Sequence, residues 1–115
     1  SWSRRAEVTC DRAGMLCSRS LDVSSAVFAK LALGSSKLIS EMNMDEFLAQ
    51  HEESKESVGR YRELFASHPW LPKRVLALRT FAESELYKRH VGAEGPGLSM
   101  EDVDSRVHEI IKVIG

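Results

Sequence analysis

The 115 residues carry 16 Lys and Arg against 17 Asp and Glu, a formal charge of -1, and 43% of them are hydrophobic. That apolar share can build one core without disulfide or metal staples. The near-neutral balance offers no electrostatic footprint for a phosphate backbone or an anionic membrane, so nucleic acid is set aside as a partner. No run of 18 apolar residues is present, and the opening SWSRRAEVT lacks the apolar stretch of a secretory signal. A soluble chain without a membrane segment is expected. Helix-forming sequence begins within the first residues and no initiator methionine precedes it, so the chain reads as a piece of something longer.

The spacing predicts a first helix over residues 3–19, rich in Ala, Arg, Glu, Leu and Met and free of proline. Cys10 and Cys17 lie two turns apart on it, about 10 Å along the axis, too far for a bridge between them. Unpaired thiols suit a reducing compartment or a pair of small buried apolar side chains, and usual cysteine burial favours the second. A second helix follows, capped by Ser20 or Asp22 and stopped by Gly34, with Val23, Val27, Leu31 and Leu33 facing inward. Asn43, Met44, Phe47 and Leu48 open a third. HEESKESVG continues or breaks it, with Gly59 the weak point, and RYRELFASH adds helix through Tyr61, Leu64 and Phe65. HPWLP stops that run, because the residue before each proline is driven to extended backbone.

With Pro72 at its first position, a single helix is expected over residues 73–90, with Val75, Leu78, Ala82 and Leu86 inward. VGAEGPGLS is a Gly/Pro-rich loop. Ser99 and Asp102 then stand at capping-box-like spacing before Val103, Val107, Ile110, Ile111 and Ile114. No alternating stretch of useful length occurs, so the fold class is all-α, a bundle of about five to six helices forming one domain over residues 1–115.

Few residues offer chemistry. There is no Gly-rich phosphate loop, no CxxC pair and no nucleophile elbow. His51, His68, His90 and His108 are too far apart for two to share adjacent turns, and HEESK places Lys55 where a zinc motif needs its second histidine. On the first helix Glu7, Cys10, Asp11, Gly14, Cys17 and Leu21 fall on one side. The acid pair Glu7 and Asp11 is then a solvated pair laced with arginines, a buried polar device, or part of a site. A carboxylate among small and apolar residues tends to be buried and needs a cation, for which Arg4, Arg5 and Arg12 are neighbours.

RRAEVTCDRAGMLCSRSLD resembles the segment that follows the HExxH helix in the HtpX-like and CAAX-prenyl-protease-type zinc metallopeptidases, with the pattern S-R-x-x-E-x-x-x-D-R-x-G. Ser3, Arg4, Glu7, Asp11, Arg12 and Gly14 stand at those positions. SHPWLPKRVLAL is similar to that family's T/S-H-P loop with its following arginine, matched by Ser67, His68, Pro69 and Arg74. The resemblance implies that Glu7 is the third protein ligand of a zinc ion, beside the two histidines of HExxH, whose own glutamate is the general base. Asp11 then accepts a hydrogen bond from a ligand histidine and orients it. His68 faces the cleft as a removable fourth ligand or as a donor to the transition state; the alternative is a His-Pro turn that caps a helix end. Arg74 reaches back to the acids, binds substrate backbone, or merely packs its stem.

HExxH is missing from this chain. What the resemblance implies is therefore the C-terminal part of a metalloendopeptidase domain, inactive alone and holding no zinc by itself, whose longer parent binds zinc and takes a peptide or protein substrate. The parent's compartment stays open, membrane association included. A face left uncovered tends to find a partner, and a second copy of the chain is one candidate. The alternative is a non-catalytic helical interaction module on a peptidase-derived scaffold.

Overall fold

A computed structural model describes residues 2–33 and 70–112. Outside them lie the Gly34 stop, the helices expected through Asn43 and Tyr61, the HEESK stretch, His51, His68 and Ile114. The chain divides into two units, residues 1–25 with 73–115, and residues 26–72. Of the second unit, residues 26–33 and 70–72 are described. The first unit holds the core and the candidate site described below.

Among the described residues the fold is all-α: α1 Trp2–Ser18, α2 Leu21–Leu33, α3 Leu71–Ala82, α4 Glu85–Val91 and α5 Met100–Ile111. No strand accompanies them, only an isolated parallel bridge between Ser84 and Leu98. No described helix is long and apolar enough to cross a membrane.

The core of the first unit is drawn from four of these helices. α1 contributes Val8 and Met15, α3 contributes Val75, Ala77, Leu78 and Phe81, α4 contributes Tyr87, and α5 contributes Val103, Val107 and Ile111. Their three- and four-residue spacings are the apolar stripes of helices that face one another. The Phe81 and Tyr87 rings meet at 5.7 Å between centroids and 53° between planes, a tilted aromatic pair.

α1 ends in an unusual way. Arg19 takes the left-handed conformation at φ 58°, and its N–H donates to Met15 O at 2.9 Å. Glycine normally fills this position, because a Cβ there crowds the neighbouring carbonyl. Arg19→Gly is therefore expected to stabilise the chain by about 1 kcal/mol, read as a rise in the thermal unfolding midpoint.

Ser20 caps α2, accepting from the Val23 N–H at 3.2 Å. Ser18 Oγ lies 2.9 Å from Ser24 Oγ and accepts the Ser20 N–H at 3.2 Å. This network at the turn draws the serine side of α2 inward, so Ser24 and Ser25 are buried while Val23 and Val27 are exposed. The expected inward placement of those two valines is corrected accordingly.

The single helix expected over residues 73–90 is two helices. α3 closes with tight turns, Glu83 N–H to Thr80 O at 3.1 Å and Ser84 N–H to Phe81 O at 2.9 Å. Ser84 then caps α4 with extended backbone, its hydroxyl accepting from the Tyr87 N–H at 3.0 Å. The break is made by tertiary docking and not by a local breaker. The loop after α4 returns so that Glu85 N–H donates to Leu98 O at 2.8 Å and Leu98 N–H donates to Glu83 O at 2.9 Å. A new start at Glu85 changes the helical phase, which brings Tyr87 inward and leaves Leu86 exposed, opposite to expectation.

α4 stops at Gly92 in the left-handed region, with Ala93 N–H donating to Lys88 O at 2.8 Å. Ser99 caps α5 through the Asp102 N–H at 3.1 Å, where the sequence spacing put a cap.

Candidate functional site

At about 100° per residue, Val8 and Met15 mark the middle of the buried stripe of α1. Asp11 lies roughly 50° to one side of it and Arg12 roughly 50° to the other, with Glu7 further round on Asp11's side. Glu7, Cys10, Gly14 and Cys17 are exposed. This corrects two expectations, the burial of Glu7 and the burial of the two thiols. The spacing of small and apolar residues runs a stripe through Glu7, whereas the core is met one residue further on, through Val8.

The two acids have different fates. Asp11 is held by Arg74 of α3 in a two-pronged contact, Nε to Oδ2 at 2.9 Å and Nη2 to Oδ1 at 2.8 Å. Its side chain is only 7% exposed and that of Arg74 29%. Two parallel charge-assisted bonds of this length fix direction as well as distance. Hydrogen bonding to Asp11 raises the Arg74 guanidinium above its ordinary value; burial works against this, while the charges of Asp11, Glu7 and Cys10 add to it. A cation whose folded value is raised stabilises fully below its unfolded value and loses that contribution only as the pH climbs through the folded one. The Arg74 half of the contact thus stays charged at any ordinary alkaline pH.

Glu7, in contrast, engages no hydrogen bond and no ion pair with the described residues, and its carboxylate stands free one turn from Asp11. Each Asp11 oxygen keeps a second lone pair, so its contact with Arg74 leaves room for a further donor. The helix face therefore offers one free oxygen ligand beside one firmly oriented acceptor.

The cation held by Asp11 comes from Arg74, across the fold. Arg12 turns the other way, donating from Nη1 to Asp104 Oδ1 of α5 at 2.8 Å. Its guanidinium carbon sits 5.4 Å from the centroid of the Phe81 ring, a cation–π contact. At the end of α1, His90 Nε2–H donates to Leu16 O at 2.7 Å, satisfying a carbonyl that the helix leaves unpaired. Sequence reasoning missed Asp104, Phe81 and His90 in these parts. Nothing in their local pattern marks them, since each acquires its role through a helix distant in sequence. His68 lies outside the described residues.

Among the described residues, no three His, Cys, Asp or Glu side chains gather closely enough to hold a metal ion. The free carboxylate of Glu7 is of the type that zinc accepts at about 2.0–2.2 Å, and the exposed thiols of Cys10 and Cys17 stand on the same helix face. The chemistry of the Glu7 carboxylate thus fits a zinc ligand.

Comparison with known proteins bears directly on this helix. The plastoglobule-localized metallopeptidase 48 of Arabidopsis thaliana chloroplasts is 43% identical over 49 residues, which are 43% of this chain and 14% of that protein. The chain thus spans a small part of the relative's length. No solved structure matches it. The model of peptidase family M48 matches residues 1–82, a span that includes Glu7, Asp11 and Arg74 together. With most of its length inside that match, the chain belongs to peptidase family M48.

Proposed function

We propose that this chain is the part of a zinc metalloendopeptidase that carries the third protein ligand of the metal, as in the HtpX-like and CAAX-prenyl-protease-type enzymes. The observation that supports this most directly is the division of labour on α1, with Glu7 free and exposed and Asp11 anchored beside it. Glu7 supplies a carboxylate oxygen to zinc. Asp11, held by Arg74, accepts the N–H of a ligand histidine and thereby fixes its ring. The two histidines and the general-base glutamate come from an HExxH helix encoded upstream, which packs on the open face of Glu7, Cys10, Gly14 and Cys17.

Zinc, when bound, polarises the scissile carbonyl and lowers the pKa of a coordinated water toward ~7. The substrate is a peptide or protein. Arg74 acts through Asp11, whose carboxylate it holds with two bonds. On this reading His68 serves as a donor to the transition state or as an exchangeable zinc ligand. The chain described here, without the upstream helix, cleaves nothing.

The test is made on the full-length protein encoded by the gene. It should contain an HExxH helix upstream of Ser1 and hold about one zinc per chain. Glu7→Ala should weaken zinc binding by at least tenfold, measured by chelator competition. Unchanged zinc affinity in that variant, or an upstream sequence with no HExxH helix, overturns the reading.

A further inference from the structure

We propose that Arg12 is a positioning residue for Glu7: its ion pair with Asp104 and its seat over Phe81 oppose the Asp11–Arg74 contact across the buried stripe of α1, and together the two pairs set the roll of that helix. This rests on the reading of Glu7 as a zinc ligand.

Consecutive residues of one helix point about 100° apart. Asp11 leads to α3 and Arg12 leads to α5, so the buried stripe of Val8 and Met15 lies between two directional polar contacts. Apolar packing resists lifting the helix out of its groove but is less particular about rotation around its own axis. A guanidinium–carboxylate contact on each flank is particular, since rotation in either sense lengthens one of them. The polarities are reversed as well. α1 gives an acid to α3 and a base to α5, so the two pairs cannot exchange partners without placing like charges together.

Roll matters because Glu7 acts at a distance from the helix axis. A carboxylate roughly 6 Å from the axis moves by about 1 Å for a roll of about 10°. Metal–ligand distances tolerate about 0.2 Å. A small rotation is therefore enough to withdraw Glu7 from zinc while the fold stays intact.

Arg12 is also costly to keep for stability alone. Its Nε is buried and has no hydrogen-bond partner, and its side chain is 18% exposed against 62% for Asp104. An exposed partner and an orphaned buried N–H make a weak stabiliser. Asp104 lies in α5, beyond the residues 1–82 that the family model matches. The C-terminal helices of this chain thus contribute to the site without touching it.

The experiment compares Arg12→Met, Arg12→Lys and Glu7→Ala in the full-length protein, reading zinc affinity by chelator competition and the visible spectrum after cobalt substitution. Arg12→Met keeps the side-chain length and removes the orphaned N–H, so its unfolding midpoint is expected within about 4 °C of the parent. Its zinc affinity is expected to fall about tenfold, with an altered cobalt spectrum. Arg12→Lys restores the charge opposite Asp104 and is expected to recover most of the affinity. If Glu7→Ala weakens zinc binding and Arg12→Met leaves affinity and spectrum unchanged, the positioning role is overturned while the ligand assignment stands. If Glu7→Ala itself has no effect, the ligand assignment falls, and the positioning role with it.

Discussion

Asp11→Ala is expected to destabilise the chain by about 2 kcal/mol, a fall of roughly 10 °C in the unfolding midpoint of a domain this size. The change removes an acceptor that is 7% exposed and takes from the Arg74 side chain, 29% exposed, the two bonds it makes to that carboxylate. Breaking a fully buried pair costs about 3–5 kcal/mol, and an exposed pair is worth about 1 kcal/mol or less. The partial exposure of Arg74 places this contact between those limits. Arg74→Ala should cost a similar amount. Arg74→Lys keeps the charge but cannot form both prongs, so about half the loss should remain. The double variant, Asp11→Ala with Arg74→Ala, should be little worse than either single one. A coupling energy below about 0.5 kcal/mol from that cycle would show that the contact does not stabilise the fold.

Gly97→Ala is expected to cost about 3 kcal/mol, through backbone and not through a side chain. A Cβ at Gly97 would meet Glu85 N, would lie 2.6 Å from Glu85 Cα and 2.8 Å from Ser84 C, and no flexible group is there to yield. The loop must lift, and the bonds that Glu85 N–H and Leu98 N–H make across the seam are lost with it. Hydrogen exchange should show both amides deprotected. Gly92→Ala is the matching control, because Gly92 has open space around it and a φ of 74°. It should cost about 1 kcal/mol, the ordinary penalty for a left-handed alanine. Equal losses at the two glycines would mean that close backbone approach at Gly97 is not what seats the loop.

These two sites also show where sequence reasoning succeeds and where it stops. The all-α class, the Ser99 cap and the cap of α2, narrowed to Ser20 or Asp22, were legible because each depends on residues within one turn of one another. The break at Ser84 was not. Residues 73–90 contain no glycine and no internal proline, and the split comes from Leu98 bonding into it from a loop that the sequence shows only as Gly- and Pro-rich. The wrong placement of Leu86 follows from that one missed event. Val23 and Val27 were assigned inward by apolarity, and a serine network at the preceding turn decided otherwise.

For the candidate site, the shared face of Glu7 and Asp11 was visible in their spacing. Which acid is free and which is anchored was not, since that depends on Arg74, 63 positions away. Arg74 was nevertheless a candidate because of the block around SHPWLPKR, whose arginine stands in the right order after the acids.

The contacts that house α1 have a consequence for the order of events during synthesis. They join residues 63, 74 and 92 positions apart, from Arg74 to Asp11, from His90 to Leu16 and from Asp104 to Arg12. Within this chain the first helix to leave the ribosome is therefore among the last to find its partners. Contacts of such long span slow folding, because the chain must close large loops before any contact rewards the closure. During that interval the apolar stripe of Val8 and Met15 has no cover from α3 or α5. A nascent chain stalled before Asp104 would present that stripe to chaperones, and release of the last helix would end the exposure.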